Sequence, residues 1–340
     1  MALELFSRVW KKRGKKCAPP DAASSPFGLG PADYQPAPSA DKSTDNPFEQ
    51  AWLQQRDAIL FRQRDQSTSD PSSELLVRSA ARLEDQLALV PEGWAALGET
   101  LIDGPNGSET EISVESYLLE IHPVTQARFQ HFVDDGGYDE LEFWPEDVWP
   151  HLIEFQDLTG APGPRYWREG RHDVRCSDHP VVGICWYEAQ AFARWAAMRL
   201  PTEAEWQVAA SWRIKSSADL MRRFPWGDAM DCSRCNVWAT NRRHTVPVTE
   251  FRSGDAPNGI CQLVGNVWEW VSSDFTIRDG AGHEVIGEMA MKSLRGGAFD
   301  TYFETQATAE FRTGLLALNR PHNVGFRCAV SLADATWLDD

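Results

Sequence analysis

The sequence predicts an irregular α+β fold, and three observations carry that prediction. From Val90 onward the apolar residues fall in short runs between turns, with only three clear helical stretches. That region is rich in Gly and Pro, which divide a chain into short elements and long ordered loops. The chain also holds 15 Trp against 6 Tyr, so most indoles must sit in packed positions where the ring N–H meets an acceptor. With 340 residues, 42% of them hydrophobic and 24% charged, the composition is globular and supports a sizeable core in two domains at most.

Residues 1–16 have Leu3, Phe6, Val9 and Trp10 at helical spacing beside Arg8, Lys11, Lys12, Arg13, Lys15 and Lys16. A basic amphipathic tip of this kind suits a membrane surface or a docking partner; the same composition suits a solvated, frayed terminus. Residues 17–47 carry seven of the 21 prolines among Ala, Ser and Asp, the composition of a disordered linker. Two helical patterns follow: 48–66, with Trp52, Ile59, Leu60 and Phe61, and 73–89, with Leu75, Leu76, Leu83 and Leu87. Asp70-Pro71-Ser72 separates them, so 48–89 reads as a helical hairpin too short to be a domain. The main domain spans 90–332 and an eight-residue tail, 333–340, closes the chain. Its helices are expected at 125–135, 186–198 and 202–212. The last opens on a capping box, with Thr202 as the cap and Glu205 three residues on.

Charge narrows the function. The first twenty residues hold six bases and one acid, a local +5, which leaves −22 on the rest of a chain whose total is −17. A body this acidic, with a pI near 4.9, does not bind nucleic acid, because phosphates need a basic face. No run approaches the roughly 20 apolar residues of a membrane span. The basic residues at the N-terminus follow the apolar ones, unlike a secretory signal. Seven cysteines without a dense framework read as reduced thiols, which places the chain in the cytoplasm, peripheral to a membrane if the tip engages one.

Seven stretches in order resemble one family. They are His122-Pro123-Val124-Thr125, 179–186 (HPVVGICW), 199–206 (RLPTEAEW), Pro225-Trp226-Gly227-Asp228, 265–270 (GNVWEW), 294–299 (LRGGAF) and 323–328 (NVGFRC). Over 90–332 this chain resembles the formylglycine-generating enzymes (sulfatase-modifying factors), a superfamily that includes the ergothioneine sulfoxide synthases and many bacterial proteins. The resemblance implies a C-type-lectin-like α+β fold with a small twisted antiparallel sheet and much coil. Most of the motif residues also have a fold-specifying role: Gly296-Gly297 permits close backbone approach, and Pro201 ends the segment before a helix.

The family's chemistry is a separate matter. The resemblance places two copper-binding cysteines shortly after Arg-Gly-Gly, at positions that here read Thr301 and Gln306. Neither replaces the soft thiolate that Cu(I) requires, so copper-dependent formylglycine generation is not expected. Sulfoxide synthases hold iron with three histidines of an N-terminal helical domain, whereas the first histidine here is His122 and 48–89 is too short for a four-helix bundle. That iron site cannot be built from this chain, so iron, like copper, is not expected unless a partner subunit supplies the site. The resemblance implies one structural calcium on Gln262, Gly265, Val267 and Glu269, with Gln262 standing where Asn or Asp is usual. A second calcium site, beginning at Asn236 and Val237, is disfavoured by Arg242, Arg243 and His244. Cys232, Cys235 and His244, or His172, Cys176 and His179, have partial zinc spacing, against which stands the ordinary reading of buried thiols and loop histidines. No Gly-rich phosphate loop appears.

The face corresponding to the family's active site holds Asp300, Tyr302, Glu304, Gln306, Arg312, Asn319 and His322, with Glu310 and Arg320 nearby in sequence. Mixed aromatic, acidic and Arg side chains are recognition chemistry. The favoured reading is a non-catalytic or pseudo-enzymatic module that binds a protein or small ligand within an assembly. One alternative is an oxidoreductase with a metal on His322, Asp300 and Glu304; another is a subunit that completes an iron site with a helical partner.

Overall fold

The structure is a computed structural model that describes residues 26–30, 33–38, 44, 46–62, 71–98, 109–216, 221–278, 284–285 and 291–338. The tip at 1–16 lies outside the described residues. Helix α1 (Pro47–Leu53) starts where the Asn46 side chain accepts the Phe48 N–H at 3.0 Å. The pattern expected to continue to 66 instead breaks at Gln55, whose φ of 58° is left-handed, and resumes as α2 (Asp57–Arg62). The break is tied to the main domain, since Arg56 donates to Trp195 O at 2.8 Å and to Asp135 at 3.1 Å. Ser72 caps α3 (Ser73–Gln86). The expected helix to 89 ends early because Leu87–Val90 forms strand β1.

Strands β2 (Gly93–Gly98) and β3 (Glu109–Val114) pair as an antiparallel ribbon, and β4 (Tyr117–Glu120) takes β1 as an antiparallel neighbour. The helices of the main domain follow their caps. Thr125 opens α4 (Gln126–Asp134), and Cys185 opens α5 (Trp186–Trp195), which stops short of 198 as Ala197 turns left-handed at φ 57°. In α6 (Glu203–Ser211) the predicted capping box is present: Thr202 Oγ1 accepts the Glu205 N–H at 3.1 Å and Glu205 Oε2 accepts the Thr202 N–H at 2.7 Å.

Strand β5 (Trp268–Asp274) is followed by the short pair β6 (Ile277–Arg278) and β7 (Glu284–Val285), then β8 (Met291–Arg295), β9 (Arg312–Leu316), β10 (Val324–Phe326) and β11 (Ala329–Ser331). A four-stranded sheet runs β10-β5-β8-β9, parallel only at β10–β5, and a three-stranded sheet runs β1-β4-β11. The 48–89 segment is thus continuous with the domain through β1. Strand β5 is covered on both faces, so the adjacent Glu269 and Trp270 are both buried.

Aromatic rings fill the main core: Phe192 stacks on Phe129 at 5.4 Å and meets Phe326 edge-on at 5.4 Å. Several buried indoles find the expected acceptors, with Trp186 donating to Val271 O, Trp195 to Asp135 and Trp206 to Glu269, each at 2.8 Å. Charges are buried in pairs: Arg327 with Glu269, Arg295 with Glu203, Arg320 with Glu188 and Arg128 with Glu120.

The disordered linker expected over 17–47 is corrected where the chain is described. The Thr245 N–H donates to Pro26 O at 2.9 Å, the Val174 N–H to Gln35 O at 2.8 Å, and the Ala37 N–H to His172 O at 2.9 Å. The Tyr34 hydroxyl donates to Arg171 O and accepts the Arg168 N–H. Backbone bonds lost to proline are thereby replaced by bonds to the domain, and residues 33–38 form a strap along it. Among the described residues no helix is long and apolar enough to cross a membrane.

Candidate functional site

The loop after β8 begins with a glycine that sequence alone singled out. At Gly296 (φ +97°) a side chain would meet Leu263 O at 2.5 Å, so only glycine allows this approach. A small ring then closes: Thr301 Oγ1 accepts the Ala298 N–H at 2.8 Å while the Thr301 N–H donates to Ala298 O at 2.9 Å. The Trp238 N–H donates to Thr301 O at 3.1 Å and the Phe299 N–H to Asn266 O at 3.1 Å, which knits this loop to two others. The Trp268 N–H donates to Asn323 O at 2.9 Å and brings in the segment before β10.

On this frame His322 Nε2 stands 3.4 Å from Asp300 Oδ2, and Asn323 Nδ2 lies 3.0 and 3.1 Å from the two Asp300 oxygens. Burial works against the Asp300 charge, but the hydrogen bonds from His322 and Asn323 outweigh it and hold the carboxyl below its usual pKa. Beside this pair lies an aromatic rim. Tyr302 and Phe303 are 68% and 61% exposed and Trp238 is 40% exposed. The Tyr302 ring meets Trp238 at 6.2 Å and Phe303 at 5.2 Å, both edge-on, and the Arg243 guanidinium lies 3.4 Å over the Trp238 ring.

Three of the seven expected ligand-binding residues, Asp300, Tyr302 and His322, thus share this face. Glu304 and Asn319 are exposed and Gln306 is half-buried. Arg312 is corrected: it pairs with Glu203 at 3.1 Å and donates to Gly98 O at 2.9 Å, in the ion network of Arg295. Asn323, Phe303, Trp238 and Arg243 were not foreseen as site residues. Asn323 opens a motif already singled out, and Phe303 adjoins Tyr302, so both had a signal; Trp238 arrives through a backbone bond across 63 residues, which leaves no local trace.

The metal expectations fare differently from the scaffold. Among the described residues no three His, Cys, Asp or Glu side chains group so as to hold a metal ion, so Glu304 does not join His322 and Asp300. His172 bonds instead to Gln130 and Ser177, and His179 to Thr245. The set Gln262, Gly265, Val267 and Glu269 does not fit calcium as expected. Both Glu269 oxygens accept from Arg327 at 2.7–3.0 Å, and Oε2 also accepts from Trp206. A guanidinium this close neutralises the carboxylate a cation would need. Gln262 Oε1 meanwhile accepts from Asn266 Nδ2 at 2.7 Å.

The family described as the sulfatase-modifying factor enzyme 1-like domain matches residues 72–332. A formylglycine-generating enzyme of Streptomyces coelicolor is 32% identical over 286 residues, 71% of this chain and 87% of that protein. An inactive C-alpha-formylglycine-generating enzyme 2 of Mus musculus is 30% identical over 275 residues, 71% of this chain and 84% of that protein. A hercynine oxygenase of Mycolicibacterium smegmatis is 34% identical over 197 residues, 54% of this chain and 45% of the relative. The chain therefore spans less than half the length of the hercynine oxygenases it matches. In fold it is similar to PvdO from Pseudomonas aeruginosa, with a TM-score of 0.50 at 18% identity, covering 72% of this chain and 94% of that one.

Proposed function

The chain belongs to the sulfatase-modifying factor enzyme 1-like domain family, and on that premise we propose that it is a non-catalytic, formylglycine-generating-enzyme-like module that binds a protein or small ligand within a larger assembly. The observation that carries this reading is Thr301. Where the resemblance places a copper-binding thiol, a hydroxyl accepts the Ala298 N–H and closes the loop that carries Asp300 and Tyr302. Its role is to shape the face, and a hydroxyl is no substitute for a thiolate on copper. Similarity to a mouse protein named as inactive supports the same reading.

Binding is favoured by the rim itself. Clustered exposed aromatics with a stacked arginine are the chemistry of interface anchors, and the Asp300–His322–Asn323 group beside them supplies directional polar contacts. The partner is a protein in the cytoplasm, with no role for nucleic acid, and residues 1–16 add a contact to it or to a membrane surface. Cross-linking mass spectrometry on the full chain in native extract tests this, comparing wild type with the Tyr302→Ala/Phe303→Ala variant. Cross-links from one partner clustering around Trp238 and Asp300, and lost in a variant of unchanged melting temperature, are expected. Cross-links that persist in that variant or map elsewhere overturn the assignment of this face.

Similarity to the hercynine oxygenases favours one second reading, an iron-dependent oxidoreductase completed by a helical partner subunit. Stoichiometric iron co-purifying with such a subunit would select it.

A further inference from the structure

Among the described cysteines all are free, and only Cys232 reaches solvent, while Cys176, Cys185, Cys235, Cys261 and Cys328 are buried. Cys232 and Cys235 share one turn. The Arg234 N–H donates to Asp231 O at 2.9 Å, and the Asp231 carboxylate accepts from the Ser233 N–H, the Ser233 hydroxyl and Arg234 Nε at 2.9, 2.6 and 3.0 Å. Inside that turn the Cys235 thiol donates back to Asp231 O at 3.9 Å. This oxygen belongs to the peptide unit that opens Cys232, so the Cys235 sulfur lies against the backbone from which the Cys232 side chain springs. Both side chains pack in one small apolar cluster with Phe224, Val264 and Ala307.

The turn is also held from outside. At Gly254 a side chain would run into Arg234 O at 2.0 Å, and Arg234 Nη1 donates to Ser253 O at 2.8 Å. One accessible thiol beside one sequestered thiol on a braced turn is the arrangement of an attacking and a resolving cysteine. We propose that Cys232 and Cys235 are a redox pair that closes to an intramolecular disulfide when the protein meets a low-molecular-weight disulfide.

The exchange balances in two steps. The Cys232 thiolate attacks one sulfur of the oxidant, its S–S bond breaks, and the first small thiol leaves with a proton from solvent. The Cys235 sulfur then displaces the second small thiol from Cys232, giving up its own proton as the protein S–S bond forms. Two protein thiols are oxidised and one small disulfide is reduced to two thiols. Burial pushes the Cys235 thiol up to about 12, which assigns the first attack to Cys232.

Closure reaches the aromatic rim through one hydroxyl. Thr240 Oγ1 donates to Cys235 O at 2.9 Å and accepts the Val237 N–H at 3.1 Å, and this ring carries Trp238. A cross-link at its base stiffens the loop on which Trp238 stands. The proposal does not depend on the binding role of that rim.

The test equilibrates the full chain in glutathione buffers of rising oxidised-to-reduced ratio, quenches with acid, alkylates, and maps peptides by mass. Because Arg234 lies between the two cysteines, trypsin leaves fragments joined only by the new bond. Loss of Cys232 alkylation together with a Cys232–Cys235 linked species, reversed by reductant, is expected; Cys235→Ser should stop at glutathione attached to Cys232, and Cys232→Ser should show neither product. Wild type that retains glutathione on Cys232 as the Cys235→Ser variant does, or that links Cys232 to Cys17 instead, overturns the proposal.

Discussion

Replacing Glu269 by Gln removes the charge opposite a fully enclosed guanidinium while nearly preserving shape. Arg327 and Glu269 side chains are 0% and 1% exposed and meet at 2.7 Å, and Arg327 also donates to Glu120 O, Ile121 O and Cys261 O at 2.8–3.1 Å. Those three carbonyls join β4 to the loop before β5, so the ion pair clamps two sheets together. Breaking one side of a buried pair costs about 3–5 kcal/mol, because the remaining charge stays out of water. For a chain of this size about 2 °C of melting temperature follows each kcal/mol, so Glu269→Gln is expected to melt ~6–10 °C lower. Urea denaturation supplies the assay, with an unchanged m-value showing that the fold is retained. A loss below about 1 kcal/mol would mean that the carbonyls alone satisfy Arg327 and would refute the reasoning. The same curves run with calcium or with a chelator should coincide; a chelator-sensitive midpoint that Glu269→Gln abolishes would restore the cation site.

Other expectations follow from the same contacts. His179 is held neutral, first by burial and then by His244, with its pKa lowered from 6.5 to about 4. The unfolded chain therefore binds more protons than the folded one between those values, and stability falls as pH drops from 6.5 toward 4. His179→Asn should make that decline shallower by up to about one proton, measured as urea stability against pH; an unchanged slope refutes it. Tyr34→Ala removes the hydroxyl that bridges Arg171 O and the Arg168 N–H. It should speed proteolysis within 33–38 while barely moving the melting temperature, as for a locally opening segment; equal cleavage rates would show that the strap is held by its backbone bonds alone. Thr301→Val leaves the buried Ala298 N–H without its acceptor and should cost about 1–3 kcal/mol by urea denaturation; a smaller loss would deny Thr301 its place in closing the loop.

How far the sequence carried the fold depended on whether a signal was local. Thr125, Thr202 and Glu205 announce their helices because a cap acts within one turn, and those helices are found within a few residues of expectation. Gln55 and the 87–90 segment were missed because tertiary contacts decide them: Arg56 reaches Trp195 and Asp135, and β1 exists only against β4. The strap was missed for a related reason. Proline-rich composition predicts that a segment will not pack on itself, and is silent on whether its carbonyls meet donors such as the Val174 N–H. At the site, Asp300, Tyr302 and His322 were legible from motif position, whereas Arg312 was not. Its register opposite Arg295 on β8 brings it to the same Glu203 carboxylate that Arg295 holds. Within the expected calcium set, what the sequence did not show is that a motif residue of the last segment, Arg327, folds onto a motif residue of β5, Glu269, a pairing across 58 positions.

The proposed non-catalytic reading is tested most directly by metal analysis of the purified full chain beside oxygen consumption in the presence of a thiol. No stoichiometric copper or iron and no thiol-dependent oxygen uptake are expected. Uptake that accompanies bound copper or iron, and that His322→Ala abolishes, would contradict the non-catalytic reading.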